Sequence, residues 1–215
     1  MSSNYQTEIV EKWNQALTLA QSYENAPEKF TSHSKGEVTI TACQHSDGTV
    51  IKGECIISNC KAAELVNILE VTDVQTRQKF DNKTKTLKVL EDFTHQNEKF
   101  SVRHYVTLSP TVIISERDFL YVEHCQVSEN STIYLTTSVD GIFPSDKCIA
   151  VGVRATNVFN YLKMIQEGDD LRVVFIGQYL PGGWIPTAVA NQAVYERPLG
   201  VVNAAKCIGK STRGV

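Results

Sequence analysis

Between Glu37 and Leu180 the chain is written largely in segments of period two, several of them joined by short polar connections, which points to a long antiparallel sheet. EVTITACQ and TVIKGECII flank the turn HSDG, where Asp47-Gly48 suits a β-hairpin. The series continues through TKTLKVLEDF, EKFSVRHYVTL, RDFLYVEHCQV, STIYLTTSV, CIAVGVRA, VFNYLKMIQ and DLRVVFIGQYL, which makes nine strands. Short polar links such as SEN and EGDD make neighbours antiparallel. No repeat, low-complexity tract or linker interrupts the run, so residues 1–215 read as one domain.

Helical periodicity is confined to the flanks and one short insertion. Over residues 5–24, Ile9, Val10, Trp13, Ala16, Leu17 and Ala20 form one apolar stripe, and Pro27 follows. Asn59 is the expected cap of a short helix over KAAELVNIL, with another turn near DVQTRQKF. The last pattern, PGGWIPTAVANQAVYERPLGVVNAAKCIGK, sets Ala190, Val194, Val201, Ala205 and Ile208 opposite Gln192, Glu196, Asn203, Lys206 and Lys210. Pro186 suits a first turn; Pro198 lies inside the helix, where it orphans the Val194 carbonyl at about 3 kcal/mol and predicts a kink. Small residues at Ala188, Ala190, Ala193, Ala204 and Ala205 predict an apolar gap between helix and sheet, stabilised by an apolar guest.

The 42% apolar fraction suffices for a large core, and a net charge of −3 with dispersed basic residues excludes a nucleic-acid partner. Cys43, Cys55, Cys60, Cys125, Cys148 and Cys207 show no C-x-x-C spacing, so reduced structural thiols are expected, with no metal and no cofactor. MSSNYQTEIVEKWNQ lacks an apolar leader and nowhere do 18 apolar residues run together, from which a cytoplasmic monomer is expected.

Three segments carry a family likeness: RQKFDNKTKTLKVLED, SERDFLYVEH, and VGVRA followed by PGGWIPTAVANQAV. In this order, over about residues 30–210, the chain resembles the START domains, the lipid-transfer modules related to steroidogenic acute regulatory protein. The resemblance implies an α+β helix-grip fold, with a curved nine-stranded antiparallel sheet wrapped around a long C-terminal helix and an N-terminal helix outside it. It implies an internal tunnel that holds one lipid, sterol or phospholipid, carried between membranes through the cytosol without catalysis. The rivals are a ligand sensor, or a cyclase or hydrolase of the wider helix-grip superfamily using His104, Glu123 or Cys125.

Alternation in RDFLYVEHCQV puts Arg117, Phe119, Tyr121, Glu123 and Cys125 on one face and Asp118, Leu120, Val122, His124 and Gln126 on the other, leaving open which is inside. The resemblance turns the first set inward. It also sets Lys79 against Glu123 as a charge-exchanged version of a pair seen in sterol binders, the alternative being an exposed Lys79. Arg77 and Asp81 match the ends of R-x-x-W-D, near a phosphate and its cationic head group, although Phe80 replaces the tryptophan and Phe119 stands where phosphocholine binders favour tyrosine. His104 shares a face with Phe100, Val102, Val106 and Leu108 and is either a ligand donor or a satisfied core histidine, while Ala190, Val194 and Val201 supply the helix side. The resemblance places Asp118 and Arg154 as fold signatures, in a structural ion pair or in loop bonding. In LSPTVIISERD, Val112, Ile113 and Ile114 form either a lid and membrane contact or more core, with Trp184, Ile185 and Val189 as the other lip.

Overall fold

The structure, a computed structural model, describes residues 4–26, 30–34, 36–45, 48–109, 111 and 113–215. Pro27, Asp47 and Val112, each of which bore an expectation, lie outside the described residues. The strands are β1 (Thr31–Ser34), β2 (Thr39–His45), β3 (Gly48–Ile57), β4 (Thr84–His95), β5 (Glu98–Thr107), β6 (Arg117–Val127), β7 (Thr132–Ser138), β8 (Val153–Arg154), β9 (Thr156–Glu167), β10 (Asp170–Leu180) and β11 (Thr212–Gly214). The helices are α1 (Asn4–Glu24), α2 (Ala62–Leu69), α3 (Val74–Gln78), α4 (Thr187–Tyr195) and α5 (Leu199–Cys207).

All strands join one sheet in the order β1-β2-β3-β10-β9-β7-β6-β5-β4, with β11 added to β3 and β8 added in parallel to β6. CIAVGVRA shrinks to the two residues of β8, because Cys148–Val151 form no ladder and the chain is instead held by Val151 N–H donating to Asp118 Oδ2 at 2.6 Å. Nor does Asn59 cap α2: it takes a left-handed φ of 48°, and the Lys61 N–H is bonded at 2.8 Å by the Glu64 carboxylate three residues on.

Both faces of the sheet are covered. One carries α1, whose Ile9, Val10, Trp13, Ala16 and Ala20 pack against Phe100, Val102, Leu120, Val122 and Leu135, with the Trp13 indole donating to Leu135 O at 3.0 Å. The other carries α2 and α5, whose Leu65, Val66, Val201, Val202 and Ala205 meet Tyr105, Phe119, Tyr134 and Phe175. This double cover settles a point that alternation left open, since residues paired across an antiparallel ladder share a face. Val102 pairs with Val122 and His104 with Leu120, so Phe100, Val102 and His104 point toward α1, away from the supposed tunnel.

The terminal helix is split rather than merely bent. Between α4 and α5 the chain closes tight turns, in which Arg197 N–H donates to Val194 O at 3.2 Å, so the carbonyl expected to be orphaned is satisfied. The split seats Pro198 on β3: a Cβ on Gly53 would overlap Pro198 Cβ and come within 3.1 Å of its Cγ. Gly53→Ala is therefore expected to lower stability by about 1–3 kcal/mol in thermal unfolding. Gly200→Ala, in α5 with nothing within 4 Å of the new methyl, is the control that holds or gains stability.

The two halves differ in packing. Val201, Val202, Ala204 and Ala205 of α5 are buried, whereas no described residue of α4 is fully buried.

Candidate functional site

Between the α5 face of the sheet and the short helices lies a cavity of about 90 Å³. Tyr105, Phe119, Tyr121 and Tyr134 reach it from β5, β6 and β7, and Tyr179 from β10. A register shift between Gln178 and Tyr179 pairs Tyr179 with Asn157 and Gly177 with Asn160, and both asparagines of β9 line the cavity. Arg77 and Asp81 enter from α3 and the turn after it, and Arg197 enters from the split between α4 and α5. The expected apolar gap is thus a small space with a largely polar wall, because tyrosines occupy the room left by the helix alanines.

Tyr105 OH donates to Asp81 Oδ2 at 2.7 Å, and Arg77 Nη1 donates to Leu69 O at 2.6 Å while its Nε stays 3.9 Å from Asp81. Arg197 is held by ring faces, its Cζ 4.2 Å from the Tyr179 centroid and 5.7 Å from that of Phe119. Burial pushes the Tyr121 and Tyr179 hydroxyls up to about 12, so both remain neutral donors. Asn157 is only 4% exposed; its Nδ2 donates to Thr136 Oγ1 at 2.7 Å, but its Oδ1 has no partner, and neither has Asn160 Oδ1.

Farther along β5 and β6, Arg103 and Glu123 form a buried ion pair, 5% and 3% exposed. Arg103 Nη1 donates to Glu70 O at 2.9 Å and Tyr134 OH donates to Glu123 Oε2 at 2.6 Å. Desolvation drives the Glu123 carboxyl up to about 7, against the opposing pull of Arg103 and Tyr134. Beyond the pair is a second cleft of about 330 Å³, lined by Glu70, Lys99, Ser101 and Cys125 among others. Tyr134 borders the first space and its partner Glu123 the second, so the Tyr134–Glu123 bond stands between the two.

The site residues read from sequence scatter accordingly. Arg77, Asp81, Phe119 and Tyr121 meet in the first cavity. Lys79 does not meet Glu123: it caps α3 in an exposed position, and the counter-charge comes from Arg103, a diagonal neighbour across the ladder on the same face. Cys125 lines the second cleft, where burial pushes its thiol up to about 11 and leaves it a poor nucleophile. His104 Nε2 lies 2.8 Å from Asp118 Oδ2 and is a structural histidine. Val201 and the half-buried Val194 pack into the α5 core, and Ala190 is half-buried on α4. Sequence reasoning passed over Arg103, Arg197, Asn157 and Asn160. A period-two count from Glu123 across the hairpin would have found Arg103; nothing local marks the others.

At the start of β6, Arg117 ties two loops together. Its Nε donates to Pro181 O at 2.8 Å, Nη1 to Ser115 O at 2.5 Å and Nη2 to Trp184 O at 3.3 Å. Ile113 and Trp184 stand 72% and 71% exposed around it, joined by Ile149 at 80% and Val151 at 62% from the segment before β8. Ile114 instead turns inward, 3% exposed, which corrects its assignment as a membrane contact, while Ile185 and Val189 are half-buried. No described helix is long and apolar enough to cross a membrane.

No family model and no curated protein sequence matches the chain. Solved structures do: human StAR-related lipid transfer protein 5 superposes with a TM-score of 0.76 at 17% identity, over 95% of this chain and 98% of that one. Human STARD10 gives 0.68 at 18% identity, over 87% and 77% of the two chains. A STAR-related lipid transfer protein from Xanthomonas axonopodis gives 0.64 at 17% identity, over 82% and 96%. The curled antiparallel sheet, the helix laid across its inner face and these superpositions together establish that the chain has the helix-grip fold of the START domains.

Proposed function

We propose that this protein binds one lipid, its polar head in the cavity at Arg77 and Asp81, and carries it between membranes through the cytosol. The observation that carries the reading is a set of buried polar atoms without hydrogen-bond partners on residues that line one pocket, Arg77 Nε, Asn157 Oδ1 and Asn160 Oδ1, beside the break that follows a loosely packed α4. Buried polar groups are costly unless bonded, so such a space is a seat for a ligand's polar end. At about 90 Å³ it is smaller than the ~150 Å³ cavity that takes a benzene ring, so the ligand's apolar body requires the walls to part. The element suited to move is α4, which buries little, pivots at Glu196–Pro198, and is continued by the anchored α5.

Transferring an acyl chain from bilayer to protein exchanges one apolar surrounding for another, so the roughly 0.8 kcal/mol per CH₂ gained on leaving water is nearly balanced and exchange stays reversible. Ile113, Trp184, Ile149 and Val151 form the rim that meets the membrane. Mass spectrometry of copurifying lipid identifies the cargo. Transfer of it between phosphatidylcholine vesicles should slow roughly tenfold in the double variant Ile113→Ser, Trp184→Ser, as expected for losing about 1.4 kcal/mol of membrane contact, with an unchanged melting temperature. A parallel loss of melting temperature would mark these side chains as packing residues and remove the rim from the mechanism.

A further inference from the structure

The charges facing the cavity do not balance. Arg77 and Arg197 both line it, against the single carboxylate of Asp81, which already accepts from Tyr105 at 2.7 Å and lies 3.9 Å from Arg77. Among the described residues Arg77, Arg103, Arg154, Arg172 and Arg213 each have a carboxylate within ion-pair distance, and Arg117, which has none, gives its donors to the carbonyls of Ser115, Pro181, Gly182 and Trp184; Arg197 has no carboxylate within that distance. Its neighbour Glu196 is taken by Lys83 and by Gln192, the latter at 2.8 Å. Stacking on Tyr179 and Phe119 holds the Arg197 charge in place, and because the guanidinium donors lie in its own plane, the ring faces leave them available to a ligand. The Pro198 split is what supplies this residue, since it interrupts the helix at Glu196–Pro198 and brings position 197 onto the cavity wall.

The opposite chemistry lies on β9. Asn157 Oδ1 and Asn160 Oδ1 are acceptors without donors, and Asn157 is 4% exposed. A ligand complementary to this wall brings an oxyanion to the paired guanidinium groups and an O–H or N–H donor to the asparagines. We propose that Arg197 is the specificity-determining residue of the cavity and that the bound lipid is an anion, a carboxylate or phosphate with a nearby hydroxyl, seated between Arg197 and Arg77. This rests on the lipid-binding reading above and narrows it, since a neutral sterol or alcohol leaves the Arg197 charge uncompensated.

Titration calorimetry with four probes tests this, the three amphiphiles held below the concentrations at which they aggregate: 1-oleoyl lysophosphatidate, oleate, oleyl alcohol and inorganic phosphate. Lysophosphatidate, with both phosphate and hydroxyl, should bind tightest, and oleate roughly tenfold or more tighter than oleyl alcohol, as a charge-assisted bidentate contact provides. Arg197→Gln should remove most of the advantage of both anions over the alcohol, Arg77 keeping the remainder, and Arg197→Lys should restore part of the preference. Equal binding of oleate and oleyl alcohol, or an undiminished preference in Arg197→Gln, overturns the proposal while leaving lipid binding intact. Binding of inorganic phosphate alone, lost in Arg197→Gln, does the reverse: it keeps Arg197 as an anion site and removes the lipid.

Discussion

Replacing Asp118 with alanine is expected to cost about 3–5 kcal/mol, the range for breaking a buried charge pair by removing one partner. The residue is fully buried, and three groups converge on its carboxylate: His104 Nε2 at 2.8 Å, the Val151 N–H at 2.6 Å and Arg154 Nε at 2.6 Å. The Arg154 contact is a close ion pair rather than an aligned hydrogen bond. Removing the carboxylate leaves an imidazole, a backbone donor and part of a guanidinium facing a void, and frees the segment that carries Ile149 and Val151. Urea unfolding should show the loss, and amide exchange at Val151 should rise well before global unfolding. Asp140→Ala is the milder counterpart, because Asp140 is 33% exposed and Arg154 keeps Asp118. A change in Asp118→Ala of under about 1 kcal/mol would sink the view that this carboxylate locks β8 and its approach to β6.

The second large effect concerns Arg103 and Glu123. Arg103→Ala leaves the Glu123 carboxyl at a site only 3% exposed with Tyr134 as its remaining bonded partner, and a destabilisation of about 3–5 kcal/mol is expected well above pH 7, where the intact pair is ionised, with less below it, where the acid is protonated. The sign of the pH dependence follows from the raised acid. In the fold Glu123 titrates at about 7, against 4.5 for the free side chain, so between those values the folded protein holds a proton that the unfolded chain has released. The stabilisation is complete below about 4.5 and fades as pH rises through about 7, by on the order of 3 kcal/mol in all. Glu123→Gln cannot ionise, so subtracting its unfolding free energy from that of the wild type across this range should isolate the decline. A flat difference from pH 4.5 to 8 would mean that Arg103 holds the carboxylate ionised throughout, and that desolvation is not the dominant influence.

Local pattern was a reliable guide wherever one residue's neighbours in sequence are also its neighbours in space. β6 and β10 occupy the very segments RDFLYVEHCQV and DLRVVFIGQYL, and α1 starts one residue before the expected stripe, because hydrogen-bond ladders and helical turns are written in spacings of two, three and four residues. CIAVGVRA keeps only Val153–Arg154 as strand; the Val151 N–H goes instead to the Asp118 side chain of β6, which no period within the segment can reveal.

Phase was harder to read than period. With α1 on one face of the sheet and α5 on the other, eight consecutive residues of β6 are buried, and the polar-apolar contrast that would orient the strand disappears. Register then decides, and it sent His104 to the α1 side and made Arg103 the partner of Glu123.

By itself the sequence determined the strand-rich architecture, the flanking helices and an irregularity at Pro198, read as a kink where the structure has a full break, since each follows from propensity and spacing along a short stretch of chain. Only the tertiary structure decided what the interior presents: five aromatic residues, an ion pair beyond them, two asparagine oxygens without donors and an arginine without a carboxylate, drawn from five strands and the helix break. The reason is physical. A cavity is defined by which side chains fail to fill a shared volume, and that depends on contacts between residues far apart in the chain, where sequence spacing carries no record of distance.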